Sequence, residues 1–224
     1  MQYHMSIAGM AAALLLAGCA TVEEQQQQRI AAVPEAARGY IVGTFEVQCK
    51  KVKDKCFTGF GSEWIYYRSA DRRWDAHLNS GVYAPFQETP DDYRFPERGV
   101  KGSHFCLPLL PDVYGFYAFS YNVSLATSVT YSFNKANEFN LPFTVKPGEI
   151  TYVGTLKLTT EPGRHPFGFE LTLPGMLLLS SVSEGGIDAV LQKCPQSVRT
   201  WPVRNASLQA MDAASALVRV APAP

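Results

Sequence analysis

The sequence is poor in charge and has no excess of either sign. Charged residues make up 18% of the chain, and 20 Lys and Arg residues balance 20 Asp and Glu residues. Because a basic surface is what attracts nucleic acid, this balance argues against nucleic-acid binding. Hydrophobic residues make up 46% of the 224 positions, which is enough for a packed core and excludes general disorder.

The sequence also lacks the motifs of common catalytic sites. It contains no nucleophile elbow, no phosphate-binding loop and no zinc-binding helix motif. The histidines of the main part of the chain are scattered, which favours surface or turn positions over metal ligation: His77, His104 and His165. Glu88, Asp91 and Asp92 resemble an acid–base or calcium-binding group, but carboxylates in a proline-flanked loop are usually solvated. We therefore expect no catalytic residue, no metal and no cofactor.

No apolar run is long enough for a permanent transmembrane helix. Residues 7–17 are apolar but number about half of the ~20 residues that cross a bilayer, a length typical of a secretory signal. The run ends in Leu16-Ala17-Gly18-Cys19, which resembles the bacterial lipobox. That resemblance implies cleavage before Cys19 and a lipid on its thiol. Residues 1–6 contain no Lys or Arg, unlike most such signals, and an ordinary secretory signal is the alternative.

These features divide the chain into three predicted segments. Residues 1–18 are a lipoprotein signal peptide, residues 19–38 a lipid-anchored flexible tether, and residues 39–224 a single β-sandwich domain with a C-terminal helical segment. The tether is rich in Gln, Glu and Ala, a composition that also permits a short helix before Pro34. Ala20, rather than Asp, follows Cys19, which resembles sorting to the outer membrane. The predicted location is therefore the cell envelope, lipid-anchored at the outer membrane and facing the periplasm or the cell surface.

The cysteines support an exported protein. With Cys19 assigned to lipid, four cysteines remain, an even number that predicts two disulfides: Cys49, Cys56, Cys106 and Cys194. Cys49 and Cys56 flank a Lys-rich stretch typical of a hairpin tip, where opposed strand positions come within disulfide range. This favours Cys49–Cys56 and, by elimination, Cys106–Cys194. Metal or catalytic use is the alternative, but the sequence has no CxxC pair.

Alternating hydrophobicity predicts antiparallel strands over most of the chain after Gly39. The apolar sets predicted to share a face are Ile41, Phe45 and Val47; Val113, Tyr117, Phe119 and Tyr121; Phe139, Leu141, Phe143 and Val145; Ile150, Tyr152, Leu156 and Leu158; and Phe167, Phe169, Leu171 and Leu173. Pro142 cannot donate a hydrogen bond to a neighbouring strand, so its strand is expected at a sheet edge or to pair late. The sequence thus predicts a mainly β protein.

The stretches between these strands predict turns and short helices. Residues 57–102 are less regular: two strands with a turn near residues 69–71 are expected, then a long loop over residues 89–103. Residues 146–149, KPGE, fit a type II turn, which either loosens a hairpin or carries the chain between sheets. The apolar spacing of residues 187–194 predicts a short helix that ends at Pro195. Asn205 is expected to cap a second helix over residues 207–220.

Three of these segments together resemble a known group of proteins. FTVKPGEITYVGTLKL (residues 143–158), GYIVGTFEV (residues 39–47) and GFYAFSY (residues 115–121) resemble proteobacterial cell-envelope lipoproteins of unknown function. These carry a transthyretin-like or carboxypeptidase-regulatory-like β-sandwich. The resemblance implies an antiparallel, transthyretin- or Ig-like β-sandwich, here with one or two short C-terminal helices. It implies no catalytic residues.

Two surface features are candidates for binding. Aromatic and basic residues crowd one stretch of eleven positions: Trp64, Tyr66, Tyr67, Arg68, Arg72, Arg73 and Trp74. If these side chains are exposed, they are suited to stack on a glycan or to anchor a protein partner. The alternative is that Trp64 and Tyr66 line the core and that the arginines are solvated. The second feature is a Lys-rich tip formed by Lys50, Lys51, Lys53 and Lys55. Its charges are suited to bind acidic lipid headgroups, and the alternative is that the tip is simply a solvated turn.

These observations lead to one preferred function and two alternatives. The preferred prediction is a lipid-anchored cell-envelope accessory or binding protein without catalytic activity. Its predicted partners are the membrane, through the N-terminal lipid, and an envelope protein or glycan. The first alternative is an envelope hydrolase acting on glycan or peptide, with a site assembled from distant loops. The second is a soluble secreted binding domain, in which Cys19 carries no lipid.

Overall fold

The computed structural model describes residues 22–50, 60–79, 91–124, 128–132, 139–164, 166–168, 170–206, 208 and 217–220. Within these residues the protein is mainly β. The strands are β1 (Gly39–Cys49), β2 (Phe60–Ser69), β3 (Asp75–Asn79), β4 (Tyr93–Phe95), β5 (Val100–Leu109), β6 (Asp112–Ser124), β7 (Ser128–Ser132), β8 (Leu141–Val145), β9 (Ile150–Arg164), β10 (Glu170–Ser180), β11 (Val203–Asn205) and β12 (Val218–Val220). The helices are α1 (Val22–Ala32) and α2 (Gly186–Leu191), with 3-10 turns at Glu35–Ala37 and Gln196–Val198.

The strands of the described ranges form two sheets. The larger sheet has the order β12-β10-β9-β1-β5-β4, with β11 also paired to β9, and the smaller has the order β3-β2-β6-β7, with β8 paired to β6. β1 lies antiparallel to β5 and parallel to β9. The two sheets therefore make the predicted β-sandwich, with a short helix in the C-terminal region.

The core lies between the two sheets and draws on both of them. Its buried side chains include Ile41, Phe45, Val47, Leu156 and Leu158 from the larger sheet and Ile65, Phe116, Phe119, Leu141 and Phe143 from the smaller one. Each such side chain contributes about 1.5–3 kcal/mol when it is fully buried. A second apolar cluster lies on the outer face of the larger sheet, where Tyr40 and Val42 pack under Val190 of α2. β1 is therefore covered on both faces.

A bulge in β6 corrects one of the predicted strand faces. Tyr66 pairs with Ala118 but Tyr67 pairs with Phe116, so Tyr117 is the extra residue. An extra residue reverses the alternation of side chains along a strand. Tyr117 consequently does not share the core face of Phe119 and Tyr121, and the exposed fraction of Val113 is 44%. Tyr114 and Phe116 take the core positions instead.

A second irregularity lies at Gly154 of β9, whose φ is +78°. The pairing of β9 with β1 shifts by one residue at this point. Ile150 and Tyr152 therefore pack in the outer cluster with α2, whereas Leu156 and Leu158 lie in the core. The prediction that these four residues share one face was wrong, because alternation cannot reveal where a strand gains a residue.

Three other predictions also need correction. Phe167 lies in the connection between β9 and β10, not in a strand, and its exposed fraction is 81%. Residues 89–103, predicted as a loop, include β4 and the beginning of β5. Asn205 is the last residue of β11, and the end of the predicted second helix is β12, which pairs with β10. These short strands form because they pair with strands that are distant in the sequence. No local sequence pattern indicates such pairing. Residues 207 and 209–216 of that predicted helix, and Phe169, lie outside the described residues.

The turn at residues 146–149 carries the chain between the sheets, the second of the two predicted possibilities. β8 pairs with β6 of the smaller sheet, whereas β9 belongs to the larger one. Gly148 has the predicted positive φ of +67°, and its N–H donates to Arg38 O at 2.8 Å. In the part of the chain that the structure describes, β8 pairs only with β6, so Pro142 lies in an edge strand.

Residues Val22–Ala32 form α1, in agreement with the short helix before Pro34 that the composition of the predicted tether permits, and Glu35–Ala37 form a 3-10 turn. Ile30 of α1 is buried against the core. The Arg38 side chain donates to the carbonyls of Val33 (2.6 Å) and Ala31 (2.9 Å), which satisfies acceptors at the end of this helix. None of the described helices combines the length and the apolar character that a membrane span requires. The predicted signal peptide and Cys19 lie outside the described residues.

The disulfide Cys106–Cys194 is confirmed. It joins β5 to the segment that follows α2, with the two Cα atoms 5.2 Å apart. The helical spacing of residues 187–194 is also confirmed: α2 spans Gly186–Leu191, and Cys194 is buried. Cys49 is disulfide-bonded as well. The predicted pairing Cys49–Cys56 stays a prediction, because Cys56 lies outside the described residues.

Candidate binding surface

Aromatic side chains lie in a row on the outer face of the smaller sheet. Trp64, Tyr66 and Arg68 occupy alternate positions of β2 and therefore share one face. The intervening residues Ile65 and Tyr67 are buried in the core. The row belongs to the face that does not contact the other sheet.

Neighbouring strands complete this row. The His77 ring of β3 lies between two rings of β2, 6.5 Å from Trp64 and 5.9 Å from Tyr66 by ring centroids. On the other side of β2, the Tyr117 ring lies 6.1 Å from Tyr66, and the guanidinium carbon of Arg68 lies 4.2 Å above Tyr117. We call Trp64, Tyr66, Arg68, His77 and Tyr117 the aromatic face.

Hydrogen bonds orient two of the rings, Tyr66 and Tyr117. The hydroxyl groups of Tyr66 and the buried Ser120 are 2.9 Å apart. The Tyr117 hydroxyl donates to the Asp75 carboxylate at 2.8 Å. The bulge in β6 is what turns Tyr117 towards this face, because without the extra residue it would follow the core alternation. Two of the four rings are thus held by side-chain hydrogen bonds within the protein.

The arrangement suits a ligand with flat apolar patches and hydroxyl groups. All five side chains of the aromatic face are partly exposed. Aromatic rings offer large contact area at small entropic cost, and the guanidinium and carboxylate beside them supply hydrogen bonds. Rings separated by 5.9–6.5 Å present several such contacts in succession. The face therefore combines apolar ring surface with hydrogen-bonding groups.

The structure separates the seven residues that the sequence grouped. Trp64, Tyr66 and Arg68 come together, but Tyr67 is buried against Tyr114 and Phe116, and Trp74 packs against the core. The alternative that Trp64 and Tyr66 line the core was wrong, since neither belongs to the buried set.

Two of the predicted arginines lie in the turn between β2 and β3. Arg72 is exposed and has a φ of +60°, and Arg73 pairs with Asp71. Hydrogen bonds from Ser69 and Arg73 lower the pKa of the Asp71 carboxyl to about 2. Sequence reasoning missed His77, Asp75 and Tyr117 as neighbours of the aromatic face. The alternation of Asp75 and His77 along β3 was the available signal, but pairing between strands was needed to use it.

A polar cluster lies on the outer face of the larger sheet. The Glu46 carboxylate, 5% exposed, accepts from the Tyr93 hydroxyl at 2.8 Å and lies 2.6 Å from Lys157 Nζ. Burial and the Glu46 charge raise the pKa of the Tyr93 phenol. Burial lowers the pKa of the His104 imidazole, whose Nδ1 lies 2.9 Å from Thr44 Oγ1.

The polar cluster does not have the form of a hydrolase site. The Thr44 hydroxyl beside His104 resembles a nucleophile with its base. However, Thr44 has an exposed fraction of 0%, so no substrate carbonyl reaches its oxygen. Asp91 and Asp92 do not converge either: Asp91 pairs with Arg94 at 2.8 Å, and Asp92 pairs with Lys193. Glu88 lies outside the described residues. Within the described ranges, no three His, Cys, Asp or Glu side chains form a group that could hold a metal ion.

A shallow cleft lies where β10 and β11 meet along β9. Its volume is about 380 Å³, and its lining is mainly apolar: Tyr152, Ser181, Val182, Ser183, Gly186, Ile187, Val203 and Asn205. Among the residues that the structure describes, no carboxylate or imidazole lines it. Within those residues, the cleft therefore lacks the convergent acid–base groups that the hydrolase alternative requires.

Comparison with known proteins does not assign the chain to a family. No protein family matches, and no curated protein is detectably similar in sequence. A search of solved structures finds a leucine-rich repeat protein from Bacteroides thetaiotaomicron VPI-5482, with 14% identity and a TM-score of 0.32. The similarity covers 57% of this chain and 14% of that one, so the chain spans a small part of that protein's length. A similarity this slight carries no argument. The resemblance to envelope lipoproteins stays a prediction.

Proposed function

We propose that this protein is a lipid-anchored, non-catalytic binding protein of the cell envelope and that its aromatic face binds a glycan. The observation that carries the proposal is the ordered succession of Trp64, His77, Tyr66 and Tyr117 rings, flanked by Arg68. A sugar ring has an apolar face of C–H groups, which stacks on an aromatic ring, and an edge of hydroxyl groups, which hydrogen-bonds to charged side chains.

A glycan is favoured over a protein partner by the character of this surface. The rings lie on the flat face of a sheet, are only half-buried and have polar neighbours such as Asp75 and Ser120. A stable protein interface usually buries about 800 Å² on each partner around a dry, well-packed centre. A row of rings with hydrogen-bonding groups beside it matches a narrow, hydrated chain of sugars better.

The proposed location is supported by two independent features. The lipobox-like Leu16-Ala17-Gly18-Cys19 follows an apolar run of signal-peptide length. The disulfide Cys106–Cys194 is of the kind that persists in an oxidising compartment such as the bacterial periplasm. Both are expected of a protein that is exported and then anchored by its N-terminal cysteine.

Binding of the purified chain to envelope glycans tests the aromatic face. Wild type, Trp64→Ala, Arg68→Ala and Arg72→Ala are sedimented with peptidoglycan sacculi and, separately, with the polysaccharide of lipopolysaccharide. We expect the affinity for at least one of these glycans to fall about tenfold in Trp64→Ala, because the loss of an aromatic stacking contact costs about 1.4 kcal/mol. Arg68→Ala weakens binding, and Arg72→Ala, the matched arginine outside the face, leaves it unchanged. Absence of binding to both glycans, with crosslinking of the face to a protein in intact envelopes, would favour a protein partner instead.

Metabolic labelling tests the anchor. Cells that express the wild-type chain or Cys19→Ala are grown with a labelled fatty acid, and the immunoprecipitated chain is examined. We expect label in the wild type and none in Cys19→Ala, because the lipobox-like signal implies that the lipid is attached through the Cys19 thiol. Equal label in the two chains would rule out the lipid anchor at Cys19 and leave the glycan-binding proposal standing.

A further inference from the structure

The strand β11 has one unpaired edge. β10 pairs with β9 as far as Ser180 and Thr155, and β11 takes the place of β10 beside β9 at Ile150–Tyr152. Within the residues that the structure describes, β9 is the only strand with which β11 pairs. The other side of β11 is therefore a free strand edge, and such an edge can accept a further strand from another chain.

The hydrogen bonds of β11 show which of its backbone groups lie on the free edge. Ala206 N donates to Tyr152 O at 2.8 Å, and Pro202 O accepts from an N–H of β9 at 3.0 Å. Alternate residues of a strand hydrogen-bond to opposite sides. The N–H and C=O groups of Val203 and Asn205 therefore point away from β9. In the described part of the chain, no hydrogen bond reaches these groups.

The cleft between β10 and β11 lies beside this free edge. The side chains of Val203 and Asn205 share one face of β11, and both line the cleft. Most of the remaining lining belongs to residues 181–187, where the exposed fraction of Val182 is 54%. The exposed fraction of Val203 is 39%. An apolar side chain placed in the cleft would remove both valines from water.

The lining of the cleft is uncharged. Among the described residues, no Asp, Glu, Lys, Arg or His side chain lines it. The Tyr152 hydroxyl donates to Ser181 O at 3.2 Å and lies 2.8 Å from Ser183 Oγ, so the protein itself supplies its hydrogen-bond partners. Binding in the cleft would therefore depend on apolar burial and on main-chain hydrogen bonds, and not on ion pairs.

We propose that β11 binds an extended peptide segment of another protein, which pairs with the free edge and places an apolar side chain in the cleft. In this mode of recognition, main-chain hydrogen bonds supply affinity and pockets for alternate side chains supply specificity. The bound segment has apolar residues at alternate positions and no proline where it pairs with β11. This proposal requires neither the aromatic face nor the lipid anchor.

A short peptide suits this surface better than a second copy of the chain. The free edge is three residues long, Val203–Asn205, and the volume of the cleft is about 380 Å³. A stable dimer usually buries about 800 Å² on each partner. One strand with one or two apolar side chains matches the available edge and cleft, whereas a dimer would need a much larger contact.

Selection from a peptide library tests the proposal. Random heptapeptides displayed on phage are selected on the purified, immobilised chain, and the enriched peptides are synthesised with a fluorophore. Fluorescence anisotropy then measures their affinity for the wild type, Val203→Lys, Asn205→Pro and Val220→Lys. Circular dichroism and urea denaturation establish that each variant is folded.

The three variants separate the parts of the site. Val203→Lys places a charge at the cleft. Asn205→Pro removes an N–H that points away from β9, so the pairing of β11 with β9 is retained. Val220→Lys is the matched control, because Val220 is 61% exposed on β12, another strand of three residues, and does not line the cleft.

We expect the affinity of the enriched peptides to fall about tenfold in Val203→Lys and in Asn205→Pro, through the loss of apolar burial and of a hydrogen bond, and to stay unchanged in Val220→Lys. In the wild type, the amide hydrogen of Asn205 should exchange rapidly in the free chain and slowly in the complex. The amide hydrogen of Ala206, which is bonded to β9, should be protected in both.

Several results would overturn the proposal. Absence of enriched peptides is one, and equal affinity of the peptides for wild type and Val203→Lys is another. Unchanged exchange at Asn205 in the complex would show that the cleft binds a side chain without strand pairing. Sedimentation that reveals a dimer in the wild type and a monomer in Asn205→Pro would assign the edge to a second copy of the chain.

Discussion

At the scale of the residue, the polar cluster of the larger sheet depends on a glycine, Gly102, that leaves space for a neighbouring ring. Gly102 of β5 stands opposite Glu46 of β1. The Tyr93 ring lies directly over Gly102, and a Cβ at this position would collide with the ring. Because Gly102 has no side chain, the Tyr93 hydroxyl crosses the strand and reaches the Glu46 carboxylate at 2.8 Å. The glycine is required here for close approach and not for an unusual φ.

We predict that Gly102→Ala lowers the free energy of unfolding by about 1–3 kcal/mol, the usual cost of inserting a methyl group into a packed site. The added Cβ must displace the Tyr93 ring and so weaken its hydrogen bond to Glu46. Urea denaturation of Gly102→Ala, Tyr93→Ala and the double variant measures the effect. In the double variant the alanine methyl has room. The loss of unfolding free energy in the double variant should therefore be smaller than the sum of the losses in the two single variants. Strict additivity would show that the ring and the glycine do not interact.

At the scale of the element, α2 depends on what it packs against. It contains six residues, far fewer than the ~12–15 at which an isolated helix becomes marginally stable in water. Val190 is buried with Tyr40, Val42 and Ile150 of the sheet. The disulfide of Cys194 fastens the end of this segment to β5. The helix therefore exists because the outer face of the sheet and the disulfide hold it.

Replacing Cys106 and Cys194 together by Ser should lower the free energy of unfolding by about 2–4 kcal/mol, because the bond closes a long loop in the unfolded chain. The sequence separation of the two cysteines is 88 residues. Guanidinium denaturation measures the loss. The fluorescence of Trp201, whose ring lies 5.7 Å from Tyr40 at the edge of this cluster, reports whether the segment leaves the sheet first. Unchanged stability of the double variant would mean that apolar packing alone holds α2.

At the scale of the whole molecule, the outer faces of the two sheets differ in what covers them. The larger sheet has its outer face covered by α2 and by the polar cluster, whereas the smaller sheet presents the aromatic face. Between the sheets, Glu63, 1% exposed, lies 3.5 Å from Lys101 of the opposite sheet. The two sheets are therefore held together by this ion pair as well as by the apolar packing of the core.

Much of this arrangement was predictable from local pattern. The strands at Gly39–Cys49 and Leu141–Val145 follow from alternation, and the helix before Pro195 follows from apolar spacing. The partner of Cys106 followed by elimination, once Cys49 and Cys56 were assigned to each other across a predicted hairpin tip. What local pattern could not place was the extra residue at Tyr117 or the shift at Gly154. Both reverse which side chains face the core.

The sequence by itself determined that the chain is mainly β, that its cysteines can form disulfides and that aromatic and basic residues crowd residues 64–74. These properties depend on composition and on neighbours along the chain. Only the tertiary structure decided that His77 and Tyr117 complete the aromatic face and that Tyr67 and Trp74 do not belong to it. The reason is physical: which side chains meet across strands depends on pairing register, and one bulge is enough to change it.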